Sequence, residues 1–142
     1  MINVKTVWID TNIIIYYLKT NKEFTPKVTA LLEEAKSGKI HLKISPLIIS
    51  ECVFVLMGKQ FNVKKELVKT ALLSFINLPG VITEEKKVIE EALTNYARKD
   101  IDFTDAYIAA HARAVQPPHI ITENIEDFKG LNVLAEIAPE IK

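Results

Sequence analysis

Short apolar segments alternate with helical segments along almost the whole chain, and this order limits the folds open to it. Residues 7–9 (Val-Trp-Ile), Ile40–Ile44 and Ile120-Ile121 are typical of buried strands. Helical spacing follows the start signals Thr25-Pro26 and Ser45-Pro46, where a capping hydroxyl precedes proline. Strands separated by helices imply an α/β fold with a parallel sheet covered on both faces. The length of 142 residues predicts a single domain over residues 1–142.

Composition excludes several classes of protein. The formal net charge is zero and only two arginines are present, so the sequence predicts no broad basic surface for nucleic acid. The apolar runs are too short to span a membrane, and the first residues lack a signal-peptide core. A single cysteine, Cys52, allows no internal disulfide, and its apolar surroundings indicate a buried, inert thiol. We therefore expect a cytoplasmic protein with no membrane partner.

Two polar segments directly follow strands of the expected sheet. Asp10 comes straight after residues 7–9, and residues 122–127 follow Ile120-Ile121. Sites in parallel sheets lie beyond the carboxyl ends of the strands, so we expect these segments at one edge. Ordinary local structure remains an alternative for each, because Asp10 is a suitable helix N-cap and residues 122–127 are suited to a turn.

Glu51 is unusual for the helix in which it lies. In the predicted helix Pro46–Met57 only Ser50 and Glu51 are polar, and the neighbours of Glu51 at helical spacing are Leu47, Ile48, Phe54 and Val55. An unpaired carboxylate buried on that face would be costly, and a bound cation would resolve the conflict. A buried ion pair with a lysine is the alternative.

A further acidic pair, Asp102 and Asp105, stands at the entrance of a predicted helix. Carboxylates stabilise helix N-termini, so capping is a sufficient alternative for Asp105, and Asp102 lies three residues earlier at the same helix entrance. Taken with Asp10 and Glu51, however, they form a set of oxygen ligands without Cys or His, which selects Mg²⁺ or Mn²⁺. The three histidines lack the spacing of a zinc site.

Four segments in order resemble the PIN-domain family, in the style of VapC-type toxins. They are Trp-Ile-Asp-Thr-Asn (8–12), Ser-Glu (50–51), Asp-Phe-Thr-Asp-Ala (102–106) and Ile-Thr-Glu-Asn-Ile-Glu-Asp-Phe (121–128). The resemblance implies a three-layer α/β/α sandwich with a central parallel sheet of four to five strands. It also implies a Mg²⁺- or Mn²⁺-dependent endoribonuclease that acts on RNA, forms a homodimer and pairs with a VapB-like antitoxin.

The resemblance also assigns roles to individual residues. The metal ligands it implies are Asp10, Asp105 and Glu51, and Asp127 joins them in the catalytic set. Four residues are expected to support this set: Asn12, Asp102, Thr122 and Asn124. Asn124 stands where many family members have Asp, so Asp127 either compensates for the missing charge or braces the loop.

The expected chemistry is attack of water on a phosphodiester bond, with the backbone of the RNA along lysines chosen from Lys5, Lys19, Lys43 and Lys59. Three alternatives stay open. The first is a PIN-like binding module with weak or no catalysis, and the second is a housekeeping RNA-processing nuclease. The third is a phosphatase with Asp10 as nucleophile. The phosphatase usually needs a second Asp at position 12, where this chain has Asn12.

Overall fold

The computed structural model describes residues 4–138, which form two compact units that divide between Lys86 and Lys87. The first unit contains three strands and four helices: β1 (Lys5–Trp8), α1 (Thr11–Leu18), α2 (Thr25–Lys36), β2 (Ile40–Ile44), α3 (Pro46–Met57), α4 (Lys65–Ile76) and β3 (Val81–Thr83). After helix α5 (Lys86–Arg98), which begins at the boundary, the second unit contains α6 (Phe103–Val115), β4 (His119–Ile121), a 3-10 helix (Ile125–Phe128) and β5 (Leu134–Glu136).

The sheet of the first unit is parallel, in the order β1-β2-β3. Its central strand β2 buries Ile40, Leu42 and Ile44, while His41 and Lys43 between them are partly exposed. This alternation follows the period of two along a strand. Strand β1, which pairs with β2, ends at Trp8, so Asp10 lies between the sheet and α1.

Local start signals place the helices of this unit. The Ser45 hydroxyl accepts a hydrogen bond from the amide N of Ile48 at 3.4 Å, and Pro46 occupies the first turn, as predicted. Thr25, predicted as a cap, is instead the first residue of α2, and its hydroxyl donates to the Tyr16 carbonyl oxygen at 2.6 Å. The helix therefore begins one residue earlier than predicted, and the Thr25 hydroxyl bonds α1 instead of capping α2.

Gly80 is required by the turn that leads into β3. Its φ is +80°, a region that side chains rarely adopt, and an added Cβ would lie 2.5 Å from the Ala35 carbonyl oxygen. The Gly80 carbonyl oxygen in turn accepts from the Leu42 amide at 2.9 Å, so this close approach seats β3 beside β2.

In the second unit, β4 and β5 form a two-stranded parallel sheet, and α6 packs against β4 and the 3-10 helix. The apolar residues that α5 and α6 bury include Ile89, Leu93, Tyr96 and Phe103. Tyr96 and Phe103 meet edge to face, with ring centroids 6.1 Å apart. This packing holds the N-terminal turn of α6, which carries Asp105.

The predicted α/β class and the parallel pairing of strands are confirmed. Within residues 4–138, hydrogen bonds join β1, β2 and β3 in one parallel sheet and β4 and β5 in a second. Strands β3, β4 and β5 span three residues each, so each offers few ladder hydrogen bonds. The first strand is also less buried than predicted, since Trp8 is 57% exposed. None of the helices in residues 4–138 is long and apolar enough to cross a membrane.

Candidate metal centre

Asp10 occupies the junction between β1 and α1. The amide N of Ile9, just before it, donates to the Lys43 carbonyl oxygen at 3.0 Å, so the sheet holds the chain up to this point. Asp10 is the N-cap residue of α1, and its Oδ1 accepts from the Thr11 amide N at 2.7 Å. The capping alternative is therefore correct in part, and the exposed carboxylate keeps a second oxygen for another partner.

Thr11 orients a second carboxylate as well. Its hydroxyl donates to Oε2 of Glu51 at 2.8 Å, across the packed helices α1 and α3. Thr11 is only 6% exposed, so its backbone and side chain are fixed by the surrounding core. Thr11 was not among the residues that the sequence motifs predicted for the site. Its position, a hydroxyl at the first residue of a helix after Asp10, was the available signal.

Glu51 is exposed, so the predicted burial of its carboxylate is wrong, and so is the alternative of a buried ion pair. Leu47 and Phe54 on the same face of α3 are 77% and 79% exposed. The opposite face buries Ile49 and Cys52. Because almost every residue of α3 is apolar, hydrophobic periodicity could not identify the buried face. Its contact with Thr11, and not burial, links Glu51 to Asp10.

Cys52 is completely buried beside these carboxylates. Burial raises the pKa of its thiol from 9.0 to about 12, with further contributions from the negative charges of Glu51 and Asp10. A thiol of this kind stays protonated at neutral pH and is neither a nucleophile nor a metal ligand. The predicted burial of the thiol is confirmed.

A cavity of about 370 Å³ opens beside the two carboxylates. One part of its wall is polar and contains Asp10, Thr11, Asn12 and Glu51. The remainder of the lining comprises Ile15, Tyr16, Val55, Gln60 and Phe61. The structure thus brings Asn12, a predicted supporting residue, to the same wall as Asp10 and Glu51.

The second unit carries its own acidic group around the start of α6. Asp105 lies in the first turn and is partly buried, and Asp102 occupies the N-cap position. Burial raises the pKa of the Asp105 carboxyl above 3.8, and the negative charges of Asp127 and Asp102 raise it further. The helix α6 packs against the 3-10 helix that carries Asp127, so Asp105 and Asp127 are close enough to repel one another.

The loop after β4 is organised by Thr122. Its amide N donates to the Glu136 carbonyl oxygen at 2.8 Å, and its hydroxyl accepts from the Asn124 amide N at 3.0 Å. The Asn124 carbonyl oxygen accepts from the Asp127 amide N at 3.1 Å. Thr122 and Asn124 thus hold the backbone at Asp127, and the side chain of Asn124 itself is exposed.

The side chains named above suit a hard cation by their chemistry, because each acidic group offers oxygen ligands and the one thiol is protonated. Within residues 4–138, no three His, Cys, Asp or Glu side chains are grouped closely enough to hold a metal ion. Mg²⁺ commonly keeps several waters and binds through one or two carboxylates together with substrate phosphates. The pair Asp10 and Glu51 matches that kind of partial site.

Comparison with known proteins identifies the family. The family model for the PIN domain matches residues 7–132. This chain belongs to the PIN domain family. The match includes every predicted site residue and extends through both units. PIN domains are generally nucleases that use divalent metal ions.

No curated protein matches this chain. Among solved structures it is similar to a chain of VapBC2 from Rickettsia felis, which was crystallised bound to a DNA fragment from its promoter. The two are 19% identical, the similarity covers 94% of this chain and 99% of the other, and the TM-score is 0.36. A likeness this low supports no inference about activity or partners.

Proposed function

We propose that this PIN domain protein is a Mg²⁺- or Mn²⁺-dependent endoribonuclease and the toxin of a VapBC-like pair. The observation that carries the proposal is the double role of Thr11. This buried residue donates from its amide to Asp10 and from its hydroxyl to Glu51, at the wall of an open cavity. Two carboxylates oriented in advance beside a cavity are what a metal-dependent hydrolase requires.

The proposed site consists of Asp10, Glu51 and Asp105. That Asp105 binds the same ion as Asp10 follows from the family resemblance, and the experiments below test it. A bound ion would supply positive charge against the phosphate and a water of lowered pKa. Asp10 and Asp105 would hold the ion, while Glu51, fixed by Thr11, would orient the attacking water. Asp127 would act beside Asp105, whose pKa it raises.

The partners in this proposal are an RNA substrate, a VapB-like antitoxin and a second copy of the chain. All three rest on the resemblance of the four motifs to VapC-type toxins. Cleavage by water would leave a 5′-phosphate and a 3′-hydroxyl. With one cysteine, which is buried, the chain is suited to the reducing cytoplasm in which such pairs act.

Cleavage of single-stranded RNA by the purified protein tests the proposal. We expect cleavage with Mn²⁺ or Mg²⁺, none in EDTA, and recovery when the metal is restored. The ends of the products are analysed for 5′-phosphate. Binding of RNA without metal-dependent cleavage would contradict the nuclease and support the PIN-like binding module. A phosphoenzyme trapped at Asp10 would support the phosphatase. Co-purification with the product of a neighbouring short gene would distinguish a toxin from a housekeeping nuclease.

A further inference from the structure

The cavity beside Asp10 and Glu51 has a second wall that the proposed chemistry does not use. This wall includes Tyr16, Gln60 and Phe61. Phe61 is half-buried and Gln60 is exposed, in the turn that follows α3. Phe61 and Gln60 therefore line the same space as the acidic pair.

The turn that carries these residues is held by backbone hydrogen bonds. The Phe61 amide donates to the Gly58 carbonyl oxygen at 3.2 Å, and the Asn62 amide donates to the same oxygen at 2.7 Å. The Val63 amide donates to the Leu56 carbonyl oxygen at 2.8 Å, which ties the turn back to α3. The position of Phe61 is thus set by the fold before anything binds.

Neighbouring side chains add a fixed ring and a positive charge. Tyr16 stacks on Phe24 with ring centroids 4.8 Å apart and planes at 18°. The Nζ of Lys19 lies 5.9 Å from the centroid of the Phe61 ring. Lys19 is one of the lysines expected along an RNA backbone, and it is placed here beside an aromatic residue of the cavity wall.

We propose that this wall is a nucleotide subsite for unpaired RNA. One base stacks on Phe61, the amide of Gln60 hydrogen-bonds an edge of that base, and Lys19 binds the adjoining phosphate. The inference rests on the proposed ribonuclease function and specifies its substrate as single-stranded. Only an unstacked base can enter such a cavity, because the bases of a duplex are paired and stacked.

The size of the cavity and an aromatic ring beside a lysine suit one nucleotide. A volume of about 370 Å³ lies near the lower end of the range for small-molecule pockets, about 300–1,000 Å³. The ammonium group of Lys19, beside the Phe61 ring, attracts a phosphate, and a cation bound by Asp10 and Glu51 would offset the negative charge of the rest of the cavity. Stacking of a base on an aromatic ring, with cationic support, is the common mode of single-strand recognition.

The test is a cycle that combines protein variants with altered RNA. The substrate is a single-stranded RNA oligonucleotide with one site of cleavage by the wild-type protein. Further versions of the RNA each carry one abasic residue at a position next to that site. Cleavage of every version is measured for four proteins: wild type, Phe61→Ala, Phe61→Trp and Phe54→Ala. Phe54 is the matched control, because it is exposed on α3 and does not line the cavity. Circular dichroism and thermal melting establish that each variant is folded.

We expect Phe61→Ala to raise KM by about 5- to 150-fold with little change in kcat, the range for loss of one stacked base. Phe61→Trp should retain a near-normal KM, and Phe54→Ala should change nothing. At one position, the abasic residue should raise KM for the wild-type protein. It should leave KM for Phe61→Ala unchanged, because that variant has already lost the stacking. Lys19→Gln should reduce the salt dependence of binding by about 0.7 in log–log slope.

Two results would count against the subsite, and both differ from failure of the nuclease. If wild type cleaves RNA and Phe61→Ala behaves as Phe54→Ala does, the subsite is wrong and the cavity serves a protein side chain or nothing. If an abasic residue raises KM equally for wild type and Phe61→Ala at every position, stacking of a base on Phe61 is excluded. If Phe61→Ala is unfolded, Gln60→Ala at an exposed position decides, through an altered base preference. Absence of cleavage by wild type instead overturns the proposed function.

Discussion

The acidic side chains of the two units are held in different ways. In the first unit, Thr11 donates hydrogen bonds to both Asp10 and Glu51, so the orientation of the two carboxylates is fixed. In the second unit, Asp105 lies near Asp127 and Asp102, and burial together with these charges raises its pKa. One group is ordered without an ion, while the other carries a repulsion that a cation would relieve.

This difference indicates separate roles for the two acidic groups of this PIN domain. Hydrogen bonds to a carboxylate orient it, as outer partners do in metal sites generally. Repulsion among carboxylates instead favours whatever adds positive charge, and it destabilises the metal-free chain. We therefore expect changes in the first unit to affect the geometry of catalysis and changes in the second to affect both activity and stability.

The largest effect is expected from removal of one charge in either unit. Asp10→Asn and Asp105→Asn should each lower RNA cleavage by more than about 100-fold, since loss of even an outer partner of a metal costs about 10- to 100-fold. Steady-state cleavage with Mn²⁺ measures this, with Asp100→Asn, at an exposed residue, as the control. Full activity in either variant would show that its unit takes no part in the chemistry.

A smaller loss is expected when the hydroxyl of Thr11 is removed. Thr11→Val keeps the shape of the side chain but leaves Glu51 without this hydrogen bond, so we expect cleavage to fall by about 10- to 100-fold. Thr11→Ser should recover most of the activity, because it restores the hydroxyl. Thr70→Val, which alters only a hydroxyl bonded to the Glu66 carbonyl oxygen, is the control. Equal activity of the Val and Ser variants would refute the orienting role.

The stability of the metal-free protein should depend on pH through Asp105. A raised pKa means that the folded chain holds this proton to a higher pH than the unfolded chain. The folded state is therefore favoured below the ordinary pKa of 3.8 and loses that advantage as the pH rises through the raised value. In EDTA, Asp105→Asn should melt above wild type at neutral pH by about 1–3 °C, and the gap should close near about pH 3.

Adding Mn²⁺ sharpens this measurement. Binding of the ion should stabilise wild type more than Asp105→Asn. The difference between the two melting temperatures should therefore shrink or change sign. Asp100→Asn serves again as the control and should follow wild type throughout. A metal-free Asp105→Asn that melts below wild type at neutral pH would mean that the carboxylate is stabilised by partners and not strained.

The smallest effect is expected at Cys52. With its pKa raised to about 12, the thiol should react with a soluble alkylating reagent far more slowly in the native protein than in denaturant. Cys52→Ala should keep cleavage within about twofold and cost on the order of 1 kcal/mol of stability. Rapid native labelling, or loss of cleavage on labelling of a folded protein, would give this residue a part in the site.

Much of the fold follows from local patterns in the sequence. Alternation along Ile40–Ile44 predicted β2 with its ends, and Ser45-Pro46 predicted the start of α3, because capping and pleating depend on neighbouring residues alone. The order of four polar motifs was enough to indicate the PIN family, which the family model confirms. Asp10 at the end of a strand was likewise found from the sequence.

Other features depend on contacts between residues distant in the chain, and only the tertiary structure decided them. No local pattern could show that Glu51 is exposed, because α3 is apolar on every face and packing alone selects the side that is buried. The role of Thr11 needs a partner 40 residues away. The pairing of short strands into sheets of three and two, and the assembly of a cavity from Asp10, Glu51 and Phe61, also arise only when separate segments meet.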